Sequence, residues 1–208
     1  MDRASLVAEI TAAFDGVSRE EGVTLHQAHV LDWYGTPDEE AAARARDTET
    51  RWQDVPEDDI RNTDAVLSYL DPEGFRYYLP AYMLTYLSHF DDAAPGTTGE
   101  EEQSILFHLG VGCAATFRND RYHRPRLAIL SPAQTSAVAH FLHYLVEHRK
   151  AANTEIEERL QAVWEKIAET GTDAEPSFHQ EIQRIHMQWE GPPHELQKAL
   201  ERYWGRFL

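Results

Sequence analysis

Asp71-Pro72-Glu73-Gly74-Phe75-Arg76-Tyr77-Tyr78-Leu79-Pro80-Ala81-Tyr82-Met83 gathers four large aromatic side chains and one arginine between turn-forming residues. Asp71-Pro72 reads as a turn, Gly74 permits a tight backbone, and Pro80 fixes the start of a helix over about 80–90. That helix carries Met83, Leu84, Leu87 and Phe90 and is apolar nearly all round, the mark of a buried central element. Phe75, Tyr77, Tyr78 and Tyr82 bring large apolar area together with phenol hydroxyls that need partners. Arg76 among them is expected to pair with Asp47 or Asp71, or to stack on a ring. The stretch therefore predicts a packing and hydrogen-bond nucleus; the alternative is a pocket in which Arg76 binds an anion, lined by Tyr77, Tyr78, Tyr82, Asp47 and Trp52.

Outward from this centre the signals are helical. Thr24-Leu25-His26-Gln27, Thr36-Pro37-Asp38-Glu39 and Ser131-Pro132-Ala133-Gln134 each place a hydroxyl three residues before Glu or Gln, the pattern of a capped helix start. Ala4, Val7, Ala8, Ile10, Thr11 and Phe14 form an apolar stripe closed by Gly16, and Leu25, Ala28, Leu31 and Trp33 form another reaching Gly35. A helix from Pro37 to about Gln53 is expected to carry the pairs Glu40–Arg44 and Asp47–Arg51, with Pro56 ending it. Ile60, Asp64, Leu67 and Ser68 suggest a short helix.

Asp91 to Gln103 reads as an exposed loop, with Glu100-Glu101-Glu102 able to open the next helix. Ile105 to Phe117 predicts a helix followed by a turn, Ser131 to His148 a strong helix, and Ile156 to Ile167 another, ending at Gly171. Phe178, Ile182, Ile185 and Trp189, then Leu196 to Leu208, supply two more stripes. Period-two strands and Asn-Gly hairpins are absent. The fold class is all-α, a compact multi-helix bundle. Residues 1–150 are expected to form a helical core and 151–208 a helical C-terminal extension packed on it, one domain overall.

Acidic residues outnumber basic ones 36 to 19 in the 208-residue chain, for a net charge of −17. Residues 1–60 hold 15 acidic and 5 basic side chains, 61–150 hold 10 and 8, and 151–208 hold 11 and 6. Such a field repels nucleic acid and anionic membranes and speeds encounter with a basic protein. No stretch has the roughly 18 apolar residues of a membrane span, and Asp2, Arg3, Glu9 and Asp15 replace a secretory apolar region. The single cysteine, Cys113, rules out an intrachain disulfide, so a cytoplasmic location is expected.

Eleven histidines raise the question of a metal. His26 and His29, and His140 and His143, are three residues apart on predicted helices, but His-Glu-x-x-His and Glu-x-x-His spacings are missing, so these remain weak candidates and no metal or cofactor is expected. Cys113 reads as a buried small side chain. Arg118, Arg121, Arg124 and Arg126 make a basic cluster, which is expected to neutralise the chain's own acidic flanks or those of a second copy.

Ala45-Arg46-Asp47 through Trp52, the block Gly74 to Met83, and Leu130-Ser131-Pro132-Ala133-Gln134 with Phe141-Leu142 together resemble a bacterial family of unknown function. The likeness covers roughly residues 1–148 and implies a shared fold without transferring an activity. Two function classes follow: a non-catalytic acidic helical protein that binds another protein, such as a neutralising, immunity-like partner of a basic toxin or nuclease, with a homodimer as a further possibility; or a small enzyme or ligand-binding protein using the anion pocket at Arg76.

Overall fold

The computed structural model describes residues 1–62, 64–89, 100–110, 122–170, 198–201 and 204–208, and among these every regular element is helical. In chain order they are α1 (Arg3–Ala13), α2 (Leu25–Asp32), α3 (Pro37–Arg44), α4 (Glu57–Arg61), α5 (Pro72–His89), α6 (Glu100–His108), α7 (His123–Ala128) and α8 (Pro132–Thr170). Short 3-10 turns lie at Trp52–Asp54, Asp64–Ser68 and Trp204–Phe207.

The central helix is longer than its sequence suggests. Asp71 is a helix cap: its side chain accepts from the Gly74 N–H at 2.8 Å, its carbonyl accepts from the Phe75 N–H at 2.8 Å, and Pro72 opens the first turn. α5 therefore starts eight residues before Pro80, which lies inside the helix and removes the amide that would have bonded to the Arg76 carbonyl. Ten of its eighteen residues are buried, Phe75, Tyr77, Tyr78 and Leu79 completely. Each such large side chain contributes about 1.5–3 kcal/mol through loss of apolar surface from water.

α1, α4 and α7 all pack against α5, while α1 also packs along α8. In α1 the inward stripe is Leu6, Ile10 and Phe14; Ala4 and Ala8, expected inside, are exposed, because the bulkier leucine takes the core position. Thr24, Thr36 and Ser131 each cap a helix reciprocally with the Gln or Glu three residues on.

The helix expected from Pro37 to Gln53 stops at Arg44. The segment that follows is drawn into long-range polar bonds by Asp47 and Glu49 instead of the expected pairs along the helix. Arg44 donates to the Gly22 carbonyl at 2.8 Å and to Gln27 Oε1 at 3.1 Å, and Arg51 lies 3.9 Å from Asp54. Glu100 lies at the start of α6, and Gly110 closes its end at φ 78°. The helices expected over 131–148 and 156–167 are one, since no proline or glycine separates Pro132 from Thr170. At 39 residues α8 spans about 58 Å.

The chain end returns to this core. Trp204 is buried and donates its indole N–H to the Leu109 carbonyl at 3.1 Å, and Ser136 donates to the Phe207 carbonyl at 3.0 Å. The stripe at Phe178, Ile182, Ile185 and Trp189 lies outside the described residues, as do Phe90, Cys113, Arg118 and Arg121. Among the described residues no helix is long and apolar enough to cross a membrane.

Candidate functional site

The polar centre of the bundle is organised by Arg19, a residue the sequence gives no reason to single out. Its guanidinium reaches from the loop after α1 and donates to Tyr78 Oη at 2.8 Å, Glu49 Oε1 at 3.0 Å and the Asp47 carbonyl at 3.0 Å, while lying 5.4 Å from the Tyr77 ring centroid. Tyr78 donates to Glu49 Oε1 at 3.2 Å and accepts from the Leu25 N–H at 3.3 Å; Tyr77 donates to the Glu49 carbonyl at 3.4 Å. Burial works against the Arg19 charge, yet the Tyr78 phenol and the Glu49 carboxylate outweigh it and raise the guanidinium's pKa. Burial, reinforced by Glu49, pushes the Tyr77 phenol up to about 12. It pushes the Tyr78 phenol up as well, with Arg19 acting in the opposite direction.

The residues expected to line an anion pocket make several separate contacts, and the buried Nε of Arg76 has no hydrogen-bond partner among the described residues. Arg76 is half-buried with its guanidinium 3.8 Å from Glu20; neither Asp47 nor Asp71 is the carboxylate beside it. Asp71 caps α5 and accepts from the Val23 N–H at 3.0 Å. Asp47 accepts from the His26 backbone N–H at 3.0 Å, where it meets the positive end of α2, and it also pairs with the His26 ring. Trp52 is buried and donates to the Phe14 carbonyl at 2.8 Å, and Tyr82 is buried in the core. The structure thus brings Tyr77, Tyr78 and Asp47 together around Arg19, with Arg76 directed elsewhere.

The histidine pairs diverge. His26 faces Asp47, with Asp59 at 3.9 Å, whereas His29 packs edge-on against Trp33 with ring centroids 4.4 Å apart. His140 meets Glu9 of α1 at 2.8 Å, and His143 is exposed. Among the described residues no group of three or more His, Cys, Asp or Glu side chains could hold a metal ion.

A second polar cluster joins Asp64–Ser68, α6 and α7. His108 is buried, with Nδ1 2.9 Å from Tyr122 Oη and Nε2 3.5 Å from Ser68 Oγ. Burial holds its imidazole down to about 3, with the charges of Arg126 and His123 acting in the same direction. Arg126, from the predicted basic cluster, donates to the carbonyls of Leu70 (2.6 Å), Tyr122 (2.9 Å) and Ser68 (3.2 Å) and stacks 4.0 Å over the Tyr122 ring. It ties main chain together where neutralisation of acidic flanks was expected. Arg124 is exposed.

Around this cluster the surface is aromatic. Apart from Met1 and Leu208 at the chain ends, the exposed large apolar side chains among the described residues are Trp33 (68%), Tyr34 (92%), Tyr69 (36%) and Phe107 (48%). Trp33 was expected to continue the inward stripe of α2, but it caps the helix and points outward. Tyr34 follows at φ 59°. The Gly35 N–H bonds to the Val30 carbonyl at 3.0 Å and the Tyr34 N–H to the Leu31 carbonyl at 3.1 Å, a Schellman ending with tyrosine in the place that favours glycine. The nearby Asp32 carboxylate raises the pKa of the Tyr69 phenol, with loss of solvent and the Tyr34 and Tyr122 phenols acting in the same direction.

Fold and surface together define an all-α protein with a polar centre built on Arg19, whose buried Nε alone finds no partner there, and with exposed aromatic side chains. Residues 2–168 match the family of unknown function DUF6714, and the chain belongs to that family. The match extends beyond the likeness read from the sequence, which ended near residue 148. No curated protein and no solved structure matches the chain.

Proposed function

We propose that this protein works in the cytoplasm as a non-catalytic, acidic binding partner of a basic protein, neutralising it in the manner of an immunity protein. The observation that carries this reading is the combination of a net charge of −17 with solvent-exposed Trp33, Tyr34 and Tyr69. Charge of one sign steers a basic partner to the surface, and exposed Trp and Tyr supply the desolvated contact area that most often dominates a protein interface. The competing anion-pocket reading cannot draw on the Tyr78 hydroxyl, which already serves Arg19, Glu49 and the Leu25 amide.

The test is affinity capture from native lysate at about 50 mM and about 500 mM salt, followed by mass spectrometry and titration of the purified candidate. The expected result is a basic protein that binds stoichiometrically at low salt and is largely released at high salt, as screening of long-range attraction requires. Capture of an acidic or neutral protein with no salt dependence rejects the proposal.

A further inference from the structure

The aromatic surface has a definite local composition. Between Arg19 and Arg44 the chain contains no lysine or arginine, but it contains Glu20, Glu21, Asp32, Asp38, Glu39 and Glu40. Trp33 and Tyr34 follow Asp32 directly, and Asp38, Glu39 and Glu40 form the first turn of α3 just beyond them. Tyr69 follows the 3-10 turn Asp64–Ser68, which packs against both α2 and α6, and its phenol lies close enough to feel the Asp32 charge.

Two features argue that the ring of Tyr34 is outside for a purpose. Its backbone takes a left-handed conformation that glycine or asparagine adopts at less cost, and the residue is 92% exposed, so little packing within the chain compensates. A bulky residue kept in strained backbone with little internal contact suggests selection for an external one. The adjacent Arg126 shows the chemistry such a surface supports, with its guanidinium stacked on Tyr122. Arg126 also makes that end of the face positive, leaving the Asp32, Trp33 and Tyr34 end as the place for an incoming cation.

We propose that Trp33, Tyr34 and Tyr69, arranged around Asp32, form the docking surface for an arginine-bearing segment of a basic partner. A guanidinium is planar and weakly hydrated, so it stacks on an exposed indole or phenol while its edge donates to a carboxylate; an ammonium satisfies the carboxylate but stacks less well. The surface therefore favours arginine over lysine. This inference rests on the basic-partner reading above and assigns it a location.

The probe is a fluorescently labelled decapeptide containing four arginines, titrated onto the full chain beside its four-lysine and four-glutamate counterparts. The arginine peptide should bind at least threefold tighter than the lysine peptide, and the glutamate peptide should not bind. Trp33→Ala and Tyr34→Gly should each weaken the arginine peptide at least fivefold, whereas Asp15→Asn, which removes a negative charge elsewhere, should weaken it less than twofold. Thermal melting of Tyr34→Gly at or above that of the parent excludes misfolding as the cause. If Trp33→Ala and Tyr34→Gly bind as the parent does, or Asp15→Asn weakens binding as much as they do, the docking surface is refuted and the basic-partner reading stands. If no arginine peptide binds, both fail. A dimer seen by sedimentation that Trp33→Ala dissolves assigns the face to a second copy of the chain and overturns the proposal.

Discussion

At the residue scale Tyr34, in a left-handed backbone, and His108, a buried imidazole, both depart from local preference. A left-handed backbone costs an L-residue about 1–2 kcal/mol, and glycine's looser unfolded chain offsets about 0.5–1 kcal/mol of the relief. Tyr34→Gly should therefore stabilise the fold by about 0.5–1 kcal/mol, seen as a rise of about 1–4 °C in thermal unfolding for a chain of this size. A fall would mean that the ring packs within the chain. Burial holds the His108 imidazole down to about 3 in the folded protein, against about 6.5 when unfolded, which favours its neutral form. Below pH 6.5 the unfolded chain takes up a proton that the native state refuses, so stability is full above that value and declines as pH falls toward 3. Between pH 7 and pH 5 this one group removes about 2 kcal/mol. Urea unfolding of His108→Gln across that range should show a pH slope shallower by about that amount, and an unchanged slope would place the acid sensitivity elsewhere.

At the element scale the start of α5 is held by close contact with the loop before α2. A Cβ on Gly74 would meet the Val23 carbonyl at 2.4 Å, and one on Gly22 would meet the Gly74 nitrogen at 2.6 Å. Helix propensity alone makes Gly74→Ala favourable by about 1 kcal/mol. Here backbone faces backbone and neither atom can turn aside, so the clash, about 1–3 kcal/mol or more, should exceed that gain. Gly74→Ala is expected to lower stability by about 1–2 kcal/mol in denaturant unfolding, and a stabilised variant would show that the loop yields. The same contact explains the early start of α5: Asp71 binds the Val23 N–H and the Gly74 N–H together, joining loop to helix. The Asp71-Pro72-Glu73 pattern of cap, first-turn proline and acidic residue was present in the sequence, but Pro80 drew the boundary toward itself. Proline breaks a helix only where the lost hydrogen bond and ring clash exceed the packing gained around it, and at Pro80, buried among α5 neighbours, packing prevailed.

At the scale of the whole molecule the charge of −17 has two consequences of opposite sign. Self-repulsion opposes the compact state, so raising ionic strength from about 10 to about 200 mM should raise the melting temperature of the free protein. The same screening should slow its association with a basic partner by an order of magnitude or more, measurable by stopped flow. A free protein that melts lower in added salt would show that attractive pairs, such as Arg19–Glu49, outweigh the net field.

The sequence alone determined the all-α class, the capped starts at Thr24, Thr36 and Ser131, the burial of Tyr77, Tyr78 and Tyr82, and the acidic field. Each of these depends on residue type or on spacings of three and four, which a single helix turn can satisfy. Only the tertiary structure decided that Arg19, not Arg76, holds the polar centre, that Asp47 and Glu49 bond to His26 and Arg19 and not along a continued α3, and that Trp33 faces outward. These arrangements join residues 21 to 59 positions apart, and which partner wins depends on geometry that forms only once the helices have packed.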